Sequence, residues 1–508
     1  MDAPVPLIAV AALAAAALVL RDDRARAWVM LAALVLAPAI LVSHIWDTDQ
    51  IRPLRDDPRL LVAGVAAAVL AVAVLAAFFV RRPGAVLLAA VGTLPFRVPI
   101  ASGGSTANLL VPLYLVVAAG VVAFAVRRLR VREDVPDDAV APGALEWALA
   151  AYLVLYAIRA ASSSDFGHAL ENVVFFYVPF ALLFVLLRRR GWTPRLLHAA
   201  LAVLLVMALA LAGVGFVEYA TRHLFLNPKV IASNQLEDYF RVNSLFFDPN
   251  IYGRFLAVTM VLVAAWLLWA ARPREVVATA VLLAVLWGAL VLTFSQSSFA
   301  ALLAGLAVLA ALRWRTGPVI AVAAVALCAA AALVAVAPDT VRVDLGSSKS
   351  ADEATSGRYD LIAGGVRLFA ERPVTGWGSG SFAREYRRAE DVSAERATSA
   401  SHTIPVTVAA EEGVVGLAAY LLVVGCAVLR LFRGARQTPW RAACAAAFAA
   451  LVVHSMMYAA FLEDPLTWAL AGVGTALALR AAAGRAEREE PGRRDVAEIP
   501  AHPAPAAR

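Results

Sequence analysis

The chain has 508 residues, 62% of them hydrophobic and 16% charged, with a formal net charge of +7. A water-soluble domain carries roughly 45–50% apolar and about 25% charged residues, so this composition excludes an ordinary soluble globular protein and points to lipid as the solvent for the excess. The basic balance does not indicate nucleic acid, because the arginines gather at the ends of apolar runs, where a membrane protein needs them.

Apolar runs long enough to serve as membrane helices begin with Ala3–Leu20, Ala27–Trp46, Leu60–Val80 and Gly84–Phe96. They continue with Leu109–Val126, Leu145–Ala161, Leu170–Leu187 and Leu196–Tyr219. The second half has Ile251–Ala271, Val276–Phe294, Ser298–Leu312, Val319–Ala337, Ile404–Leu431, Ala442–Phe461 and Leu466–Leu479. Gly84–Phe96 and Ser298–Leu312 are short enough for half-spans. The pattern predicts an all-α polytopic membrane protein of about 12–15 spans with one large external loop, similar to GT-C architectures. The first run is followed, not preceded, by basic residues, so it reads as an anchor with its N-terminus outside and not as a cleavable signal.

Three regions follow from this layout: N-terminal membrane helices over 1–220, a core over 221–482 with external loops 221–249 and 339–403, and a disordered tail over 483–508. Alternating the spans places 27 of the 45 Lys and Arg on one side, which the positive-inside rule makes cytoplasmic together with the tail. The two long loops then share the opposite, extracytoplasmic face of a bacterial cytoplasmic membrane. A bacterial source is suggested by the wealth of Ala, Val, Leu and Arg beside only two lysines, Lys229 and Lys349. Cys328, Cys426 and Cys444 all fall inside apolar runs, so neither a disulfide framework nor a thiolate metal site is implied.

The longest polar stretch, Asp339–His402, holds nine basic and ten acidic side chains, so any anion recognition there falls to selected arginines. Tyr359, Ile362, Val366 and Phe369 recur at helical spacing, which predicts an amphipathic helix opened by Arg358 and ended by Pro373. Thr375–Gly380 reads as a tight glycine turn; without the Lys-Ser/Thr of a P-loop it does not indicate nucleotide binding. A transferase outside the cytoplasm lacks nucleotide sugars, so its donor would be a lipid-linked diphosphate. That chemistry needs guanidinium forks and a base such as histidine. Arg241, Arg358 and His402 meet these needs.

Four stretches carry a family resemblance. Arg241-Val242-Asn243-Ser244-Leu245-Phe246-Phe247-Asp248-Pro249-Asn250 resembles the "R…F.nPN" signature of the O-antigen ligase and O-antigen polymerase family, and Leu292–Ser298 resembles its "t.SR" stretch. Ser356-Gly357-Arg358 with Arg372–Gly378 is similar to "sgR…P..G.G", and His402, Glu411, Gly413 and Gly416 match the spacing of "HN…E.G..G". The resemblance implies metal-independent, inverting transfer from a polyprenyl-diphosphate-linked glycan to a glycan, lipid or protein acceptor, with no cofactor. By family pattern Arg241 and Arg358 hold the diphosphate and His402 activates the acceptor hydroxyl. Glu411 joins the catalytic group, and Asn250, Gln296 and Gly376 support it. Gln296 stands where the family usually has Arg, and Thr403 where it usually has Asn.

Plain structural roles stand beside each of these: a loop cap for Arg241, pairing with Asp360 or Glu353 for Arg358, an interfacial position for His402, and a salt bridge for Glu411. His168, His223 and His454 read as isolated, without metal-ligand spacing. Two other functions compete. Asp47 and Asp49, with His44 nearby, could hold a metal in a metal-dependent transferase. A many-span chain could also be a transporter or flippase, although no internal repeat is visible.

Overall fold

A computed structural model describes residues 4–48, 55–102, 105–130, 141–189, 191–225, 240–269, 272–314, 358–391 and 400–489, with 230, 231, 234 and 317 besides. The protein is built from membrane helices. In chain order these are α1 (Pro4–Val19), α2 (Asp23–Ile45), α3 (Pro58–Arg81), α4 (Pro83–Thr93), α5 (Val111–Arg130) and α6 (Ala144–Ala160). After them come α7 (Phe166–Asn172), which runs through a π turn into α8 (Val178–Leu187), then α9 (Pro194–Thr221), α10 (Pro249–Trp269), α11 (Pro273–Val291) and α12 (Gln296–Arg313). Two short helices, α13 (Arg358–Glu371) and α14 (Phe382–Glu390), precede α15 (Ile404–Phe432), α16 (Pro439–Ser455) and α17 (Pro465–Glu489). A small antiparallel hairpin pairs β1 (Val98–Ser102) with β2 (Ser105–Leu109).

Every predicted span except Val319–Ala337, which lies outside the described residues, corresponds to a helix. Nine helices among the described residues are long and apolar enough to cross a membrane. At 1.5 Å per residue the 11-residue α4 reaches only about half of a ~30 Å hydrocarbon layer, as expected of a half-span. The 18 residues of α12 reach nearly all of it, so the half-span expectation does not hold there.

Small side chains let the inner helices approach closely. α12 crosses α10 and α16 at Gly305, where a β-carbon would press on Val261 and Ala450, and α16 buries a continuous Ala442–Phe448 face. The outermost helix is α3, which buries only Ala76 and Phe79. The π turn at Val173–Tyr177 precedes Pro179, which has no N–H to continue the α-helical ladder.

The helix ends segregate as the arginine count predicted. Asp23 at the start of α2 accepts from Arg26, Arg128 and Arg189. Arg480 of α17 donates to the Trp192 carbonyl, and Arg436 to that of Ala311. These contacts join the arginine-rich connections at one end of the bundle. The loops that contain Arg241, Gly376 and His402 meet at the other.

The α13 helix forms where expected, but on a different face. Tyr359 and Val366 are exposed, whereas Leu361 and Leu368 pack with Phe382, Tyr386 and Ala410. Gly364 and Gly365 complete this inner stripe, where β-carbons would meet Tyr386 and Val406. The glycines allow so close an approach that the helix buries its backbone side, which a count of large apolar residues does not detect.

Candidate functional site

The site is assembled from four connections. The first, leading into α10, is pinned by Glu218 at the end of α9, whose carboxylate accepts from the backbone amides of Asn243 (3.2 Å) and Ser244 (2.7 Å). Arg241 is half-buried: its Nε donates to the Thr293 carbonyl at 3.0 Å and its Nη2 to Asn250 Oδ1 at 3.4 Å. Asn250 also accepts from the Ser295 hydroxyl at 2.8 Å. Hence the "R…PN" and "t.S" stretches form one unit although some 50 residues separate them.

Gln296, next to that unit, is exposed, and no hydrogen bond joins its side chain to another described residue. Ser297 and Ser298 instead turn inward, to within 3.2 and 3.3 Å of His454 Nε2.

Tyr458, in the turn between α16 and α17, links this unit to His402. Its hydroxyl faces the Asp248 and Asn250 side chains, and burial followed by the Asp248 charge pushes its pKa well above the ordinary tyrosine value. The His402 ring lies 5.3 Å from the Tyr458 ring, centroid to centroid, and the His454 ring 5.7 Å from it. Two side chains, Asn250 and Tyr458, thus connect Arg241 to His402. His402 itself has φ +59°, in a turn fixed by Ser401, which bonds Thr407 through both its amide and its hydroxyl. Thr403 donates to the Met456 carbonyl at 3.0 Å, so at the position where the family has Asn it ties this turn to the Tyr458 turn.

Arg358 opens α13; its side chain lies outside the described residues. Two turns further on, a β-carbon at Gly365 would meet Ser401 and Val406, so the helix that begins with Arg358 packs beside the His402 turn.

The glycine turn and α15 interlock. Gly413 breaks α15 with φ 67° and ψ −165°, which frees the Ala410 and Glu411 carbonyls from their helical partners. Trp377 N–H takes the first at 3.0 Å and Gly378 N–H the second at 2.7 Å, while Val414 N–H turns back to the Pro373 carbonyl at 2.8 Å. Gly376, φ +63°, has room for no side chain because a β-carbon would overlap the Glu411 carbonyl. The Glu411 side chain accepts from Gly380 N–H at 2.9 Å and Phe382 N–H at 3.0 Å. It makes no salt bridge with a described residue and holds the 376–382 loop.

Beside Ala459 and Ala460, which follow Tyr458, lies a cavity of about 280 Å³, lined by Arg97, Arg254, His168, Tyr156, Glu411 and Glu412 among others. Arg254 spans its wall, bonded to Asp464 at 2.5 Å and to the Ala459 and Ala460 carbonyls at 2.6 Å each. Arg97 enters from the loop before β1; desolvation lowers its pKa and Asp464 opposes that shift. Sequence reading missed Arg97, Arg254 and Tyr458. A charged residue inside an apolar run was an available signal for Arg254. His454 is hydrogen-bonded as a core histidine would be, yet it lies in the same cluster.

Asp47 is 94% exposed with Arg55 at 3.5 Å, Asp49 lies outside the described residues, and no metal-holding group of three His, Cys, Asp or Glu occurs among the described residues.

The fold and this polar cluster define a multi-pass membrane protein with cations, histidines and hydroxyls gathered at one end of the bundle. Residues 281–421 match the family described as O-Antigen ligase, so this segment of the chain is similar to that family. No curated protein matches the chain. The matched segment includes Gln296, Arg358, Gly376, His402 and Glu411 but begins after Arg241 and Asn250.

Proposed function

We propose that the protein transfers a glycan from a polyprenyl-diphosphate carrier to an acceptor hydroxyl at the outer face of the cytoplasmic membrane, with inversion and without a metal. The observation that carries this reading is the chain of neighbours from Arg241 through Asn250 and Tyr458 to His402, in a protein whose 281–421 segment matches O-antigen ligases. Arg241 and Arg358 hold the diphosphate, for which guanidinium forks are suited. His402 takes the acceptor proton while that oxygen attacks the anomeric carbon. The bond from that carbon to the diphosphate oxygen breaks, and the arginines stabilise the departing anion. Glu411 and Gly376 act by holding the loop, Asn250 by orienting Arg241, and the cavity beside Arg254 receives the sugar.

The test supplies a polyprenyl-diphosphate oligosaccharide and acceptor to the purified protein in detergent with EDTA, and follows released polyprenyl diphosphate. Release is expected from the wild type and is expected to fall at least about a hundredfold in His402→Ala. Arg241→Lys and Arg358→Lys, which keep charge but lose the fork, are also expected to be impaired. Full turnover in all three variants, or none in the wild type until a divalent ion is added, refutes the mechanism.

A further inference from the structure

We propose that Glu412 determines which sugar is transferred, by hydrogen bonding one hydroxyl of the sugar held in the cavity beside Arg254. The proposal rests on the reading that this cavity receives the sugar. Glu412 follows Glu411 in α15, eight residues from the start of that helix, or about 12 Å along its axis. A carboxyl group at such a depth is costly unless it is paired or serves a substrate path.

Only half of this one is paired. Glu412 is 1% exposed and its Oε1 accepts from the Tyr152 hydroxyl at 3.1 Å. Its Oε2 is buried and has no hydrogen-bond partner among the described residues. The two neighbouring acids thus differ in duty. Glu411 commits both oxygens to the backbone amides of Gly380 and Phe382, whereas Glu412 keeps one open in a side chain that lines the cavity. Gly416 leaves the room for it, since a β-carbon there would fall 2.7 Å from that Oε2. Gly416, marked in the sequence only by its spacing from His402 and Glu411, thereby gains a physical role.

The surrounding wall favours a sugar. Tyr177 donates to Glu463 at 2.8 Å, and Tyr156 accepts from Asn172 at 2.8 Å. The rings of Tyr156 and Tyr177 meet edge-on at 4.6 Å, and the Tyr152 ring lies 6.3 Å from each. These tyrosines line the cavity with aromatic surface, against which the apolar face of a sugar ring can pack, while a few placed polar groups fix its orientation. A hydroxyl both donates and accepts, so it satisfies Oε2 in either protonation state of the carboxyl. A buried group built to bond a hydroxyl rejects the analogue that lacks it, because the group is then left unpaired.

The experiment titrates the purified full chain in detergent with polyprenyl diphosphate bearing one glucose or galactose residue, and with the monodeoxy analogues of each, and reads retention by native mass spectrometry. The wild type is expected to bind one analogue at least about tenfold more weakly than its parent. Glu412→Ala is expected to abolish that penalty and leave those at other positions in place. Glu412→Gln, which keeps the side-chain shape should the alanine variant fold poorly, is expected to reduce it about fivefold. A purely structural role would weaken all the sugars alike. Such a uniform loss, equal retention of parents and analogues by the wild type, retention of neither sugar, or a penalty unchanged in both variants overturns the proposal. A wild type that shows the penalty but transfers no sugar refutes the proposed reaction and leaves the assignment of Glu412 standing.

Discussion

Replacing Gly413 by alanine tests how the loop and α15 are joined. The φ 67°, ψ −165° conformation belongs almost wholly to glycine, and a side chain held there costs about 1–3 kcal/mol. A β-carbon would also overlap the Val374 carbonyl. If α15 straightens to escape, it loses the three loop-to-helix backbone bonds of Trp377, Gly378 and Val414, each worth about 0.5–1.5 kcal/mol net. The three together come to roughly 1.5–4.5 kcal/mol of docking free energy, enough to release 373–382 while the remaining helices stay folded. Hydrogen–deuterium exchange in detergent reads this directly: the amides of Trp377 and Gly378 are expected to lose protection, and those of α16 to keep it. Glycosyl transfer is expected to fall with the loss of protection. Unchanged exchange at 377–378 together with full activity would falsify the account of Gly413.

Asp464→Asn leaves the buried Arg254 guanidinium without its counter-ion and is expected to cost about 3–5 kcal/mol, read as an earlier thermal unfolding transition; an unmoved transition contradicts a buried pair. Tyr458→Phe removes the hydroxyl that faces Asp248 and Asn250, so transfer is expected to drop about tenfold or more with little change in expression. Equal rates would detach Tyr458 from the site. Gln296→Arg, at an exposed position, is expected to change stability by no more than about 0.5 kcal/mol. Its effect on the KM for the donor then shows whether the usual family cation contributes there.

Much of the scaffold could be read along the chain, because each membrane helix is encoded locally by some 20 consecutive apolar residues. Arg358 at a helix start, Pro373 near its end and the turn at Gly376 were equally local. The inner face of α13 was not, because glycines at 364 and 365 bury backbone and leave no side chain to count. The roles of Glu411 and Glu218 were hidden for a related reason: both carboxylates bind amides, which every residue offers. Tyr458 and Arg97 stayed invisible because their partners, Asp248 with Asn250 and Asp464, lie hundreds of residues away and carry no spacing rule. The family signature marked out Arg241 and Asn250, but neither their hydrogen bond nor the hold of Arg241 on the Thr293 carbonyl could be read from it.

Because the notch at Gly413 lends its carbonyls to Trp377 and Gly378, the polar segment borrows an edge from a membrane helix made after it. During synthesis residues 373–378 emerge first and have nothing to dock on until α15 is inserted. Excised and expressed in water, the segment 358–391 would lack that edge, so it is not a separable domain. Any effort to study this polar face on its own must carry the helix along.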